Sequence, residues 1–272
     1  MSKFSVLISI YYKEKAEYFN RAMQSIWDEQ TVKPDEIVLV QDGPLTDGLH
    51  KAIDEWKAKI GEVFKTVPLE KNVGLGDALN IGMQHCTYEL IARMDTDDIS
   101  LPNRFEKQLK VFENNDIDIC SSWVSEFDSD EKEILGYRKL PETHEELQNY
   151  AKLRSPINHP AVMYKKSAVL NAGNYGRLKQ AQDYELWGRM FLSGAKFYNI
   201  QKILVNMRAG YGQLERRSGF EYVKRELALL NTLKRNGFLN SFEYLRAFCI
   251  KIPIRLLPKK IIKIVYKFLR KS

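Results

Sequence analysis

The stretch ARMDTDDIS (92–100) sets Asp95, Asp97 and Asp98 within four positions, directly after a short apolar run. Like charges that close repel each other, and alternate residues of an extended chain point to the same side. A divalent cation relieves that repulsion. Mg2+ and Mn2+ suit the place, because both seek oxygen and are commonly held by one or two carboxylates together with substrate phosphates. The cluster therefore reads as a metal site facing a diphosphate. A plainer reading stays open at the same residues: a polar turn, with Asp98 as N-cap of the helix that ISLPNRF begins. An EF-hand loop begun at Asp95 is disfavoured, since Ser100 replaces its turn glycine and Pro102 interrupts it. Two further acids stand at element ends. Asp42 closes the apolar run of DEIVLVQDG (35–43), and Asp183 opens QDYELW; each is a candidate for chemistry or, more simply, a turn or cap residue.

The elements that must position these acids alternate regularly. FSVLISIYY (4–12) predicts a buried strand, and a helix follows from Ala16 to about Glu29. A strand over 35–43, a helix within 46–60, a strand within 63–72 and a helix over 76–86 come next, and YELIARMD (88–95) is a fourth strand. That β-α-β-α-β-α-β order predicts an α/β fold with an open, mostly parallel central sheet flanked by helices. Ligands of such sheets sit beyond the carboxyl ends of the strands, where Asp42 and Asp95 lie. The second half is less regular. It predicts helices at 101–115, 143–153 and 182–194, a strand at 118–127 with a polar turn at 128–136, and a strand then helix within 159–173. A strand near 202–208 comes next, and after Gly210 a Gly- and Arg-rich loop precedes helices at about 219–236 and 241–249. NVGLG (72–76) reads as a helix entry whose glycines permit close backbone approach and whose amides favour phosphate.

The charge is localised. Eight of the 42 Lys and Arg, and none of the 35 Asp and Glu, fall in 250–272, so the +7 excess sits in that segment and the body is balanced. A nucleic-acid binder would spread a basic face over its fold, so nucleic acid is not an expected partner. Residues 259–271 read as a short amphipathic helix, basic on one side and apolar on the other, suited to an anionic membrane surface. Three scattered cysteines, Cys86, Cys120 and Cys249, form neither a disulfide framework nor a zinc spacing, which favours a reducing compartment. MSKFSVLISIYY is not a convincing signal peptide, and no stretch reaches the ~20 apolar residues of a spanning helix. These features predict a cytoplasmic protein, peripheral on an anionic membrane surface.

The blocks SVLISIYYKE, EIVLVQDG, KNVGLGDALNIG, RMDTDDISLPNRF and QDYELW, in this order and spacing, resemble family 2 glycosyltransferases of the GT-A fold. The bacterial branch that builds capsule, exopolysaccharide of the amylovoran type and O-antigen is most similar. The resemblance covers about residues 4–210. It implies a GT-A domain over 1–215, with a donor half to about 100 and an acceptor half over 101–215, and a C-terminal helical region over 216–272.

The resemblance also implies roles. Ile10, Tyr11 and Glu14 correspond to the wall beside the nucleotide base, and Asp42 to the acid that bonds the uracil ring. Asn72, Gly74, Gly76 and Asn80 correspond to the loop and helix start beside base and ribose. Asp95, Asp97 and Asp98 correspond to the DxD motif: Asp95 serving ribose or the metal's water shell, Asp97 the Mg2+ or Mn2+, with Asp98 able to exchange registers with Asp97. Asp183 corresponds to the general base, although Gln182 stands where relatives commonly carry Glu. His159 and Arg208 are candidate acceptor or diphosphate contacts, and Arg208, Arg216 and Arg217 a candidate closing stretch; a structural His and surface arginines are the alternatives. The QxxRW signature of processive members is absent, which implies one sugar per encounter. The implied reaction is inverting transfer from a UDP-hexose to a glycan or polyprenyl-diphosphate-linked saccharide. The alternatives are a nucleotide-sugar-binding protein without catalysis and a phosphatase with Asp95 as nucleophile, whose motif belongs on a first strand. An NAD enzyme is disfavoured, because YYKEKAE and not G-x-G-x-x-G follows the first strand.

Overall fold

The computed structural model describes residues 2–176, 178, 181–209 and 219–256. Arg216, Arg217 and the tail helix expected over 259–271 lie outside the described residues. The strands are β1 (Phe4–Ile10), β2 (Glu36–Gln41), β3 (Phe64–Pro68), β4 (Leu90–Met94), β5 (Ile99–Ser100), β6 (Ile119–Phe127), β7 (Gly136–Arg138), β8 (Met163–Lys165) and β9 (Phe197–Arg208). The α-helices are α1 (Ala16–Trp27), α2 (Asp47–Ile60), α3 (Leu75–His85), α4 (Arg104–Asn114), α5 (His144–Tyr150), α6 (Lys166–Asn171), α7 (Gln182–Leu192), α8 (Phe220–Arg235) and α9 (Ser241–Leu256).

One sheet in the order β3-β2-β1-β4-β8-β6-β9-β5 runs through the fold, with β7 paired to β6. The parallel sheet expected from the alternation is found over β3, β2, β1 and β4. Beyond β4 it becomes mixed: β8 is antiparallel to β4 and β6, β6 runs parallel to β9, and β7 and β5 pair antiparallel. The turn between β6 and β7 is too short for a crossover, so only antiparallel pairing is open to it. The last strand starts earlier than its apolar pattern suggests. Gln201 and Lys202, the polar pair that interrupts that pattern, fall where the register with β6 shifts, since Ser122 pairs with Ile200 and Trp123 with Ile203. They form a bulge within a continuous strand. The helix expected to end at 249 continues to Leu256 through Pro253.

Side chains of β1 alternate between two cores. Val6, Ile8 and Ile10 face Phe19, Met23 and Ile26 of α1, and Leu7 faces Leu79 and Met83 of α3. Gly82 lets α3 lie flat on the sheet, because a Cβ there would stand 2.5 Å from Leu7 Cδ1 and 2.6 Å from Val40 Cγ2. The α8–α9 hairpin is part of the body. Leu229, Leu230, Leu233, Phe238 and Leu239 pack into the same core as Trp187 and Phe191 of α7.

Candidate active site

The carboxyl ends of β1, β2 and β4 gather the sequence candidates on one side of the sheet. Asp42 follows β2 and is buried. Its Oδ1 accepts from the Val73 amide at 2.7 Å, and its Oδ2 from the Gly74 amide at 3.1 Å and from Asn72 Nδ2 at 2.9 Å. Gly74 is the N-cap of α3, at φ 89°. Asp42 thus fixes the loop 72–74 against the end of β2. Gly43, at φ +88°, allows this approach: a Cβ there would stand 2.6 Å from the Asn72 amide nitrogen. Beside it, Ile10 is buried and its carbonyl accepts from the Asp42 amide at 2.7 Å, while Tyr11 is 41% exposed at the strand exit.

The aspartates after β4 divide the work. Asp95 is gripped by Arg93, whose Nη1 donates to Oδ2 at 2.5 Å and whose Nη2 donates to Oδ1. Asp97 is largely desolvated. Burial, then the charges of Asp95 and Glu14, push its carboxyl up to about 7. Asp98 is buried; its Oδ1 accepts from the Arg208 amide at 2.7 Å, and its Oδ2 is buried with no hydrogen-bond partner. Burial and the two neighbouring aspartates hold it well above the carboxylate range. Thr96 Oγ1 donates to Glu14 Oε2 at 2.7 Å and ties the β1 exit to the cluster. Among the described residues no three acid, His or Cys side chains form a complete cage for a metal. The donor set still fits a hard cation, because Asp98 keeps a buried carboxylate oxygen with no hydrogen-bond partner and Asp97 lies within reach of the charges of Asp95 and Glu14.

Asp183 lies in the first turn of α7. Burial raises its pKa, opposed by the Tyr184 amide and then the Arg93 charge, while Asp95 adds to the rise. The first turn of α7 therefore faces the end of β4. A clamp sets that relation. Asn80 on α3 donates through Nδ2 to the Tyr175 carbonyl at 3.0 Å and accepts at Oδ1 from the Tyr175 amide at 2.9 Å. Gly76 sits beneath the same segment, 3.4 Å from the Gly176 carbonyl at its Cβ position. His159 lies deeper, its Nε2 2.8 Å from the Tyr175 hydroxyl and its ring against Trp187, and burial keeps it neutral. Arg208 braces the back of the acid loop: Nε donates to the Asp97 carbonyl at 3.1 Å, and the guanidinium lies over the rings of Tyr18 and Phe127.

Two buried cations escaped the sequence reading. Arg93 lies in a central strand on the face that Ile91 shares with the core, and a charge inside such a run is the signal that was available. Arg104, at the start of α4, is fully buried and donates to the Arg93 carbonyl at 2.7 Å. Burial and then the Arg93 charge bring its pKa down to about 9.

The chain has known relatives in sequence and in fold. The sequence model of glycosyl transferase family 2 matches residues 5–170. The chain is 39% identical to the amylovoran biosynthesis glycosyltransferase AmsE of Erwinia amylovora, across 99% of this chain and 100% of that protein. It is 38% identical to the UDP-Gal:alpha-D-GlcNAc-diphosphoundecaprenol beta-1,3-galactosyltransferase of Escherichia coli, across 97% and 95%. In fold it is similar to S. aureus TarS in complex with UDP-GlcNAc, with a TM-score of 0.67 at 18% identity over 92% of this chain and 73% of that one. It is also similar to a Pyrobaculum calidifontis mannosyltransferase in complex with GDP-Man and Mn2+, with a TM-score of 0.60 at 14% identity over 100% and 81%. Matched by the family model over more than half its length and by full-length relatives, the chain belongs to glycosyl transferase family 2 and is a glycosyltransferase.

Proposed function

We propose that this glycosyltransferase moves one sugar from a UDP-hexose to a polyprenyl-diphosphate-linked saccharide, in surface-polysaccharide assembly at the inner face of the bacterial cytoplasmic membrane. The observation that carries the reading is the placement of Asp183, a half-buried carboxylate in the first turn of α7, close enough to the end of β4 to feel the charges of Arg93 and Asp95. The names of the relatives support the donor and acceptor classes: one specifies UDP-Gal and a GlcNAc-diphosphoundecaprenol, another amylovoran biosynthesis. The basic run over 250–272 supports an anionic membrane as the place of work.

In this reading Ile10, Tyr11 and Glu14 flank the base, and Asp42 shapes its pocket by holding Asn72, Val73 and Gly74. Gly76 and Asn80 set the floor next to the ribose. Asp95, held by Arg93, accepts from a ribose hydroxyl. Asp97 and Asp98 are the carboxylates for Mg2+ or Mn2+, which when bound offsets charge on the departing diphosphate as a Lewis acid. Asp183 takes the proton of the acceptor hydroxyl as that oxygen bonds to the anomeric carbon. The bond from that carbon to the diphosphate breaks on the opposite side, and the configuration inverts. General-base assistance of this kind contributes about 10²–10⁴-fold.

The test is acceptor-dependent release of UDP by the purified protein, with Mn2+, a panel of UDP-sugars and GlcNAc-diphosphoundecaprenol as the first acceptor. The anomeric configuration of the product is then read by NMR. Retention of configuration would remove Asp183 from its role. Donor binding without transfer to any diphosphate-linked saccharide would overturn the acceptor class.

A further inference from the structure

Helix α9 packs Ala247 and Ile252 against the body and carries a second apolar stripe on its outer side. Phe242, Leu245, Cys249, Pro253 and Leu256 recur at spacings of three and four, which gathers them on one narrow stripe. That stripe faces away from the body: Phe242 is 74% exposed, Leu245 58% and Leu256 60%, with Cys249 and Pro253 exposed between them. Two cations of the same helix turn inward, while Arg246 stays exposed beside the stripe. Lys251 pairs with the buried Glu226 of α8, and Arg255 Nε lies 3.5 Å from the same carboxylate. The Gly219 amide donates to the Arg255 carbonyl at 3.1 Å, which sets the 68%-exposed Phe220 at the Leu256 end of the stripe. A helix that faced water alone would carry polar side chains along that outer stripe.

We propose that this outer face of α9 is a docking surface for an anionic lipid bilayer, with Phe242, Leu245 and Leu256 inserted among the headgroups. Charge selects this occupant over a second copy of the chain. The sixteen residues that follow α9 in the sequence carry six Lys or Arg and no acid, whereas residues 1–256 hold 36 basic and 35 acidic side chains. A second copy of the chain has the same net positive charge and offers that segment no complement, whereas an anionic surface attracts the segment and accepts the apolar stripe at once. The geometry is in-plane. No helix among the described residues is long and apolar enough to cross a membrane, and sixteen residues reach about 24 Å, short of a ~30 Å hydrocarbon layer. The inference deepens the reading that the acceptor is lipid-linked, because it brings the enzyme to the surface where such an acceptor lies.

The test is sedimentation of the full chain with vesicles of equal parts phosphatidylglycerol and phosphatidylcholine, at low and high salt, without donor or acceptor. Binding is thereby read independently of the transfer reaction. The double variant Phe242→Ser/Leu245→Ser alters only exposed side chains, so its melting temperature stays at the wild-type value. It should bind at least tenfold more weakly, and the deficit should persist at high salt, where attraction of the basic segment is screened. Vesicle binding equal to wild type would overturn the proposal. So would a wild-type chain that is dimeric by sedimentation equilibrium and becomes monomeric in the double variant, since the face would then be an interface between copies.

Discussion

Arg93 holds Asp95 through both carboxylate oxygens, and this pair is the electrostatic centre of the site. The guanidinium is buried in the sheet, and its charge reaches Asp98, Asp183, His159 and Tyr175. One buried cation thus offsets acids contributed by two separate elements. Replacing it by Met leaves those acids uncompensated. Arg93→Met should cost stability, and the cost should shrink when Asp95→Asn is added. Because Asp95 keeps about a third of its side chain in solvent, the coupling should be about 1–2 kcal/mol, below that of a fully buried pair. A denaturant double-mutant cycle measures it, and additive effects would show that the pair contributes nothing.

The proposed metal role rests on the acids after β4, where the charges of Asp95 and Glu14 add to burial in raising the pKa of Asp97. EDTA should abolish transfer, and Mn2+ or Mg2+ should restore it. Asp97→Asn should lose activity and stay folded, because Asp97 is half-buried in the loop after β4, whereas Asp98 is buried and its Oδ1 accepts from the Arg208 amide at 2.7 Å. Asp98→Asn should lose activity and also lower the melting temperature. Full activity in EDTA would remove the metal from the reading.

Asp183→Asn should bind donor as the wild type does and turn over about 10²–10⁴-fold more slowly. As the proposed base, Asp183 acts in its ionised form, and burial raises its pKa. Activity in the wild type should therefore rise with pH through a step above the ordinary carboxylate range, then level off. A pH–rate profile with no such step, or near-normal turnover in the variant, would assign the base elsewhere.

The donor half was legible because its elements are regular. Each strand there is a short apolar run, each helix carries one apolar face, and the acids stand where strands end. Glu14, Asp42, Asp95, Asp97, Asp98 and Asp183 were all found as candidates, and the fold brings them to one side of the sheet. What stayed hidden is pairing. No spacing shows that Asp42 serves the 72–74 loop, that Asn80 reaches across 95 positions to Tyr175, or that Arg208 closes on the Asp97 carbonyl. The mixed sheet was hidden for the same reason. β8 is three residues long and β5 two, too short for a periodicity, and the bulge at Gln201 and Lys202 breaks the pattern of β9.

Glu36 ties the first three strands together and offers a pH test of the scaffold. Its carboxylate accepts from Ser5 Oγ at 2.5 Å, the Thr87 amide at 2.8 Å, Thr87 Oγ1 at 2.7 Å and Lys65 Nζ at 2.5 Å. Burial alone would raise its pKa; Lys65 first, then Ser5 and Thr87, outweigh burial and lower it. A lowered carboxylate pKa adds stability above the unfolded value, and that stability is lost as pH falls through the folded one. Glu36→Gln should therefore be less stable than wild type near neutrality, by about 1–3 kcal/mol. The gap should close in acid, below the ordinary Glu range. Melting temperatures of both proteins across pH give the curve, and a gap that stays constant into acid would show that ionisation of Glu36 is not what stabilises the strands.

Gly43 and Asn72 meet more closely than any side chain permits. Gly43 adopts a φ of +88°, a region that L residues enter at a cost of about 1–2 kcal/mol, and its Cβ position lies 2.6 Å from the Asn72 amide nitrogen, a backbone atom with no rotamer to relieve the clash. The 72–74 loop must move to admit a methyl group. Its anchor is the Asp42 carboxylate, which holds Val73 and Gly74 by their amides. Gly43→Ala should thus loosen the loop from Asp42 and change the pocket proposed for the nucleotide base. The expected result is a melting temperature below wild type together with UDP affinity reduced about tenfold or more. Asn72→Ala separates the two effects, because it removes the side-chain bonds to Asp42 and keeps both amide contacts. It should weaken UDP binding less than Gly43→Ala does. Calorimetric titration with UDP orders the two variants, and unchanged affinity in Gly43→Ala would place the base away from this loop.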